Sequence, residues 1–166
     1  MNDIIRKQLD FLDTLKTMEE EMVRRGGEYT EGDVQHRFVD GVYCREFFMT
    51  RGTILISKMH RKSNFLVLLS GELTIWGENG KTRHKAPEVL ITVPGTKRIV
   101  RAHTDVTVVT FHGTKETSMD KVEEDVIVPP DREKEFLRTL EIEEAHKYLS
   151  HVSLMETSRK LLGRNR

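Results

Sequence analysis

The chain has 166 residues, which suits one domain and leaves little room for a second. Its 27 Lys and Arg balance 27 Asp and Glu, so no net charge steers it toward nucleic acid or an anionic membrane; a local basic pocket stays possible. The one cysteine, Cys44, cannot form an intrachain disulfide, no apolar run approaches the roughly 18 to 20 residues of a membrane span, and the N-terminus is not signal-like. The expected setting is therefore reducing and cytoplasmic. Apolar content of 37% against 33% charged predicts a thin core and an oligomer that buries further surface.

Three parts follow in chain order: an N-terminal helix in 1–27, a barrel in 28–128 and a helical extension in 129–166. In the first, Ile4, Ile5, Leu9, Leu12, Leu15, Met18 and Met22 recur at helical spacing, predicting a helix over 3–25 that Gly26 and Gly27 end. Its polar face is mixed in charge, which fits packing on the domain or a dimer contact better than membrane binding.

From residue 34 to 112 the pattern changes to short runs rich in Val, Ile, Thr and Phe. VQHRFV and VYCREFFM flank Asp40-Gly41, a hairpin signal. TILISKMH, NFLVLLS, ELTIWG, KTRHK, EVLITV, KRIVRA and VTVVTFH follow, separated by Ser70-Gly71, Asn79-Gly80, Pro94-Gly95 and His103-Thr104-Asp105. About nine closely spaced strands without intervening helices predict an antiparallel barrel or sandwich. Residues 117–124 read as a short helix capped by Thr117 or Ser118, and VIVPP as an extended segment. From Asp131 to Leu162, Phe136, Leu140, Ala145, Leu149 and Val152 mark a further helical face.

The barrel segment resembles the cupin superfamily over roughly residues 40 to 128. The family's first motif runs G-x5-H-x-H-x3-E-x6-G. Here Gly52 opens it and Gly71 closes it, with Lys58, His60 and Asn64 at the positions of the first His, the second His and the Glu. The second motif runs G-x5-P-x-G-x2-H-x3-N. Gly95 fits it, while Pro87, Val93, Arg98 and Ala102 replace the leading Gly, the Pro, the His and the Asn. The run from Ala86 through Arg98 and Asp105 to Thr117 is also similar to cupin-like proteins encoded by bacteriophages. The resemblance implies a mainly β jelly-roll barrel with terminal helices, and a homodimer or higher oligomer.

Metal-using cupins hold their metal with three His and one Glu from those positions. Only His60 is kept, and Lys and Arg offer no lone pair to a metal at ordinary pH. The implied expectation is that no metal or other cofactor is bound. The alignment instead turns Lys58, His60, Asn64 and Arg98 inward, where the two cations need acidic partners or an anionic ligand, unless they lie at the barrel rim with their charges reaching into water. Glu46, Glu72 and Glu88 are the candidate partners. His112 could line the same pocket, and Trp76 could stack on a ligand ring, although a core or interface role suits a lone Trp better. His84 and His103 sit in or beside turns, where they are expected to be solvated. His146 and His151 are not on one helical face.

The favoured reading is a non-catalytic cupin-like protein that binds a small anionic molecule: a sugar phosphate, a nucleotide or a carboxylate. Its ligand-binding residues are Lys58, His60, Asn64, Arg98, Trp76 and His112, and a phage protein could sequester a host metabolite or signal in this way. Two alternatives stand beside it. One is an enzyme, either metal-dependent through His60, His112 and His84 or metal-free with His60 as general base. The other is an assembly protein using the barrel as scaffold.

Overall fold

The computed structural model describes residues 3–26 and 34–143. The expectations placed on Ala145, Leu149, Val152, Leu162, His146 and His151 lie outside these residues. Helix α1 (Asp3–Arg24) is followed by nine strands: β1 (Val34–Val39), β2 (Val42–Met49), β3 (Ile54–Ile56), β4 (Asn64–Ser70), β5 (Glu72–Gly77), β6 (Gly80–Lys85), β7 (Glu88–Thr92), β8 (Ile99–Ala102) and β9 (Val106–Gly113). Helices α2 (Met119–Val126) and α3 (Glu133–Glu143) close the described chain. No described helix is long and apolar enough to cross a membrane.

The strands form two antiparallel sheets, ordered β1-β2-β9-β4-β7 and β3-β8-β5-β6. Chain neighbours such as β2 and β3, or β8 and β9, lie in opposite sheets. This alternation is the jelly roll. The Asp40-Gly41 turn joins β1 to β2 with both residues at positive φ, as a tight hairpin requires.

Side-chain alternation along the strands sends one set of residues into the barrel. Its base is filled by Met49, Leu68, Leu73, Val106 and Val108. A second core lies outside the barrel, where Leu12 and Leu15 of α1 and Leu137 of α3 meet Met59, Ile99 and Val128. A third joins Tyr43 to Val122 and Val126 of α2.

One strand is much shorter than its apolar run suggests. TILISKMH stays in the sheet only over Ile54–Ile56. Beyond it, Met59 turns into the second core and is fully buried. Residues 59–61 then zip onto the VIVPP segment: Val128 N–H donates to Met59 O at 2.9 Å and Arg61 N–H to Val126 O at 2.8 Å. That pairing brings α2 back across one end of the barrel.

A buried charge fastens the helices. Lys97, in the turn between β7 and β8, reaches Glu19 of α1 at 3.0 Å and Glu133 of α3 at 3.2 Å. Burial raises the Glu133 carboxyl above its ordinary pKa, and Lys97 opposes that shift.

Candidate functional site

The site follows from cross-strand register. The inward residues of the five-stranded sheet form layers across β7, β4, β9 and β2. Thr92, Asn64, His112 and Tyr43 are successive cross-strand partners in the layer nearest α2. Leu90, Leu66, Thr110 and Arg45 form the next, and Leu68, Val108 and Phe47 lie in the third. In the facing sheet, Leu55, Val100 and Ile75 are successive partners. Beside them Arg98 donates its backbone N–H to Ser57 Oγ at 3.0 Å.

Between the sheets lies a cavity of about 140 Å³, lined by side chains from all three layers and from α2. A cavity of about 150 Å³ holds a benzene molecule, which fixes the scale of anything enclosed here.

Lys58, His60, Asn64, Arg98 and His112 all line this space. Trp76 does not. It alternates with Ile75, so when Ile75 faces the barrel, Trp76 stands on the outer face with Arg101 and His103. His84 is also away from the cavity. It is half-buried in β6, where its Nδ1 lies 3.0 Å from Glu88, rather than solvated as expected. His103 is likewise half-buried, bonded to Thr74 Oγ1 at 2.7 Å.

The two expected cations play different parts. Lys58 sits at the mouth, exposed, and pairs with Glu123 of α2. Arg98 lies deeper, where Nη1 donates to Thr92 Oγ1 at 3.3 Å. Burial lowers its pKa, with Glu78 opposing. A third cation, Arg45, stands over the Phe47 ring at 4.9 Å. The carboxylates considered as partners are engaged elsewhere: Glu46 with Arg37, Glu72 with Arg83 and Glu88 with His84. Among the described residues, neither Arg45 nor Arg98 makes an ion pair.

The imidazoles are neutral. Burial, then the fields of His112, Arg45, Arg98 and Lys58, push His60 down to about 3. Burial and Arg45 push His112 down to about 4. His112 Nε2 lies 3.0 Å from Thr110 Oγ1. His60 Nδ1 and Asn64 Nδ2 are buried without a hydrogen-bond partner. Such polar atoms are rare in folded proteins, and a ligand or a buried water can satisfy them.

A divalent metal does not fit this donor set. Three imidazoles, His36, His60 and His112, line the space, but Arg45, Arg98 and Lys58 line it too, His36 Nδ1 is bonded to Tyr43 OH at 2.8 Å, and the carboxylate at the mouth is held by Lys58. Among the described residues no group of three or more His, Cys, Asp or Glu could hold a metal ion. The His60, His112 and His84 set is not assembled, because His84 is bonded to Glu88 elsewhere.

Arg45, Thr92, Thr96 and Thr110 also line the cavity and escaped the motif comparison. Arg45 was within reach of alternation alone, since Tyr43 and Phe47 flank it two residues away on β2.

No protein-family model matches the chain, and no curated protein matches it in sequence. Among solved structures it is similar to an RmlC-like cupin family protein with a double-stranded β-helix fold from Methanocaldococcus jannaschii, at 14% identity and TM-score 0.44, over 52% of this chain and 87% of that one. It is also similar to a cupin superfamily protein from Desulfitobacterium hafniense, at 15% identity and TM-score 0.43, over 53% and 84% of the two chains. A cupin-2 domain protein from Shewanella frigidimarina aligns at 8% identity and TM-score 0.43, over 51% and 84%. The fold is a mainly β, two-sheet jelly roll with an N-terminal helix and C-terminal helices.

Proposed function

We propose that this cupin-fold protein binds a small anionic molecule in the barrel and performs no reaction on it. The observation that carries the reading is the pair of guanidiniums, Arg45 and Arg98, which make no ion pair among the described residues and share a cavity with two polar atoms that find no partner there. Charges removed from water need opposite charge, and an anion supplies it. The low basicity of His60 disfavours the alternative of a metal-free lyase or epimerase, because a general base works best with a pKa near the operating pH. Holding without conversion suits sequestration of a host metabolite or signal by a phage-encoded protein, a role whose support is the cations standing where metal-using cupins have ligands.

Native mass spectrometry of freshly purified protein, compared with the denatured mass, tests this. An added organic anion that is lost in Arg98→Ala supports the reading. A stoichiometric transition metal overturns it and favours the metal-dependent enzyme.

The proposed macromolecular partner is a second copy of the chain. On the outer face of the five-stranded sheet, Phe65 pairs across strands with Ile91 and Phe111, and Val67 with Val89 and Val109. Phe65 is 53% exposed and Val89 and Ile91 are each 62% exposed. With Phe48 and Leu69 the stripe offers on the order of 500 Å² of apolar side chain, at the upper range for a monomer surface. A polar rim brings that near the ~800 Å² per partner of a stable interface, and a two-fold stacking of identical sheet faces needs no second protein. The same native spectra read this directly: a dimer that Phe65→Lys dissociates supports it, and a monomer at micromolar concentration overturns it.

A further inference from the structure

The cavity is divided, and the division speaks to what it holds. Toward α2 stand Asn64, His112, His60 and Arg98, with Arg45 one layer deeper. Deeper in the barrel, Leu55, Val100 and Ile75 of the facing sheet form an apolar wall, met by Leu66 and Phe47 of the five-stranded sheet. From this we infer that the ligand is a small monocarboxylate with an apolar body, of about the size of isovalerate or benzoate. The inference rests on the anion-binding reading and narrows it.

Three arguments converge. The cavity volume of about 140 Å³ admits one ring or a short branched chain, and a nucleotide held here would leave most of its atoms outside the barrel. The apolar wall would strand the hydroxyls of a sugar, because each buried hydroxyl without a partner is penalised. A guanidinium presents a planar fork that matches the two oxygens of a carboxylate. The remaining polar groups suit the same head. Asn64 Nδ2 is a donor without an acceptor, and His60, being neutral, can present an N–H to an oxygen without adding charge. One carboxylate would answer both the unpaired cations and the orphaned Asn64 donor, and its body would cover Ile75 and Val100.

The test is calorimetric titration of the full chain with two series. The acids are formate, acetate, isovalerate and benzoate; the phosphates are inorganic phosphate, glucose 6-phosphate and AMP. The expected result is acid affinity rising with body size, by roughly fourfold per added buried methylene, with every phosphate at least tenfold weaker than benzoate. Arg98→Met is expected to weaken benzoate at least tenfold. Ile75→Thr, a milder change on the apolar wall, is expected to weaken benzoate and isovalerate while sparing formate. The thermal midpoint of each variant shows whether it is folded; should Arg98→Met not fold, Thr92→Val, which removes the hydroxyl that orients Arg98, takes its place.

The two readings fail differently. Phosphates that bind while benzoate does not would overturn the carboxylate inference and leave anion binding standing. Acids that bind without dependence on body size would also overturn the inference alone. No binding in either series, or binding indifferent to both Arg98→Met and Thr92→Val, would overturn both.

Discussion

His60 and His112 stack in the cavity with ring centroids 5.2 Å apart and planes 27° from parallel. Two imidazolium rings in that arrangement would repel each other, and Arg45 adds its charge to both. The stack therefore holds only while the rings are neutral, so acid pH acts on the site and the fold together.

The sign of that effect is fixed. Both folded pKa values, about 3 and about 4, lie below the ordinary histidine value of 6.5. Between those values the unfolded chain binds more protons than the folded one, so stability rises with pH. The contribution is fully present above about pH 6.5 and is lost as pH falls toward 4. At pH 5 each histidine costs about 2 kcal/mol relative to neutral pH. Thermal melts from pH 7.5 to 5 are expected to lose on the order of 10 °C for a chain of this size. His60→Gln should remove roughly half of that slope, and an unchanged slope would mean that the ring takes up its proton without strain.

Lys97 gives the second prediction. It is buried between Glu19 and Glu133, and Glu133 is itself buried. Lys97→Met leaves the Glu133 carboxylate without its cation, and breaking a buried pair in this way costs about 3 to 5 kcal/mol. Lys97→Met combined with Glu133→Leu should recover most of the loss, since two apolar side chains replace two buried charges. Urea unfolding of the parent and the two variants measures this. A double variant no better than the single one would show that the pair positions α1 and α3 rather than merely neutralising charge.

Much of the barrel was legible because strand alternation and turn residues are local signals. The hairpin at Asp40-Gly41, the sheet strands and the helix after Ser118 follow from them, and the glycine spacing from Gly52 to Gly71 placed Lys58, His60 and Asn64 on one cavity. What stayed hidden depends on pairing between distant segments. The early end of β3 comes from Met59 being drawn into a core made with Leu137 and Val128, far along the chain. The Glu123 partner of Lys58 depends on α2 folding back, which no local pattern announces. Trp76 was misplaced for a simpler reason: alternation assigns Ile75 and Trp76 to opposite faces without saying which face is inside.

Gly71 carries the third prediction. It has φ of +84°, and a Cβ there would stand 2.2 Å from Asp105 O and 2.7 Å from Thr104 Oγ1. The contact is with backbone, and Thr104 Oγ1 also accepts the Glu72 N–H at 2.9 Å, so the turn cannot yield without losing that bond. Gly71→Ala should cost about 2 kcal/mol or more. Gly77→Ala, where a Cβ meets nothing within 4 Å, should stay within about 0.5 kcal/mol of the parent. Chemical unfolding of the pair separates a steric requirement at Gly71 from a general aversion to substitution in β4 and β5.

The Lys58–Glu123 pair at the mouth should behave unlike Lys97. Their side chains are 43% and 53% exposed, and solvent screening leaves such a pair worth less than about 1 kcal/mol. Glu123→Gln should therefore move the thermal midpoint by no more than about 3 °C. Its effect belongs to ligand entry instead. Removing the carboxylate takes one negative charge from an entrance that already leads past Lys58 to Arg98 and Arg45. Anion association should then quicken several-fold at low ionic strength, and the gain should fade at high salt, where the field is screened over about 3 Å. Stopped-flow mixing with benzoate at two salt concentrations checks both points. An unchanged association rate with a large fall in midpoint would reverse the assignment and make the pair a clasp that holds α2 on the barrel.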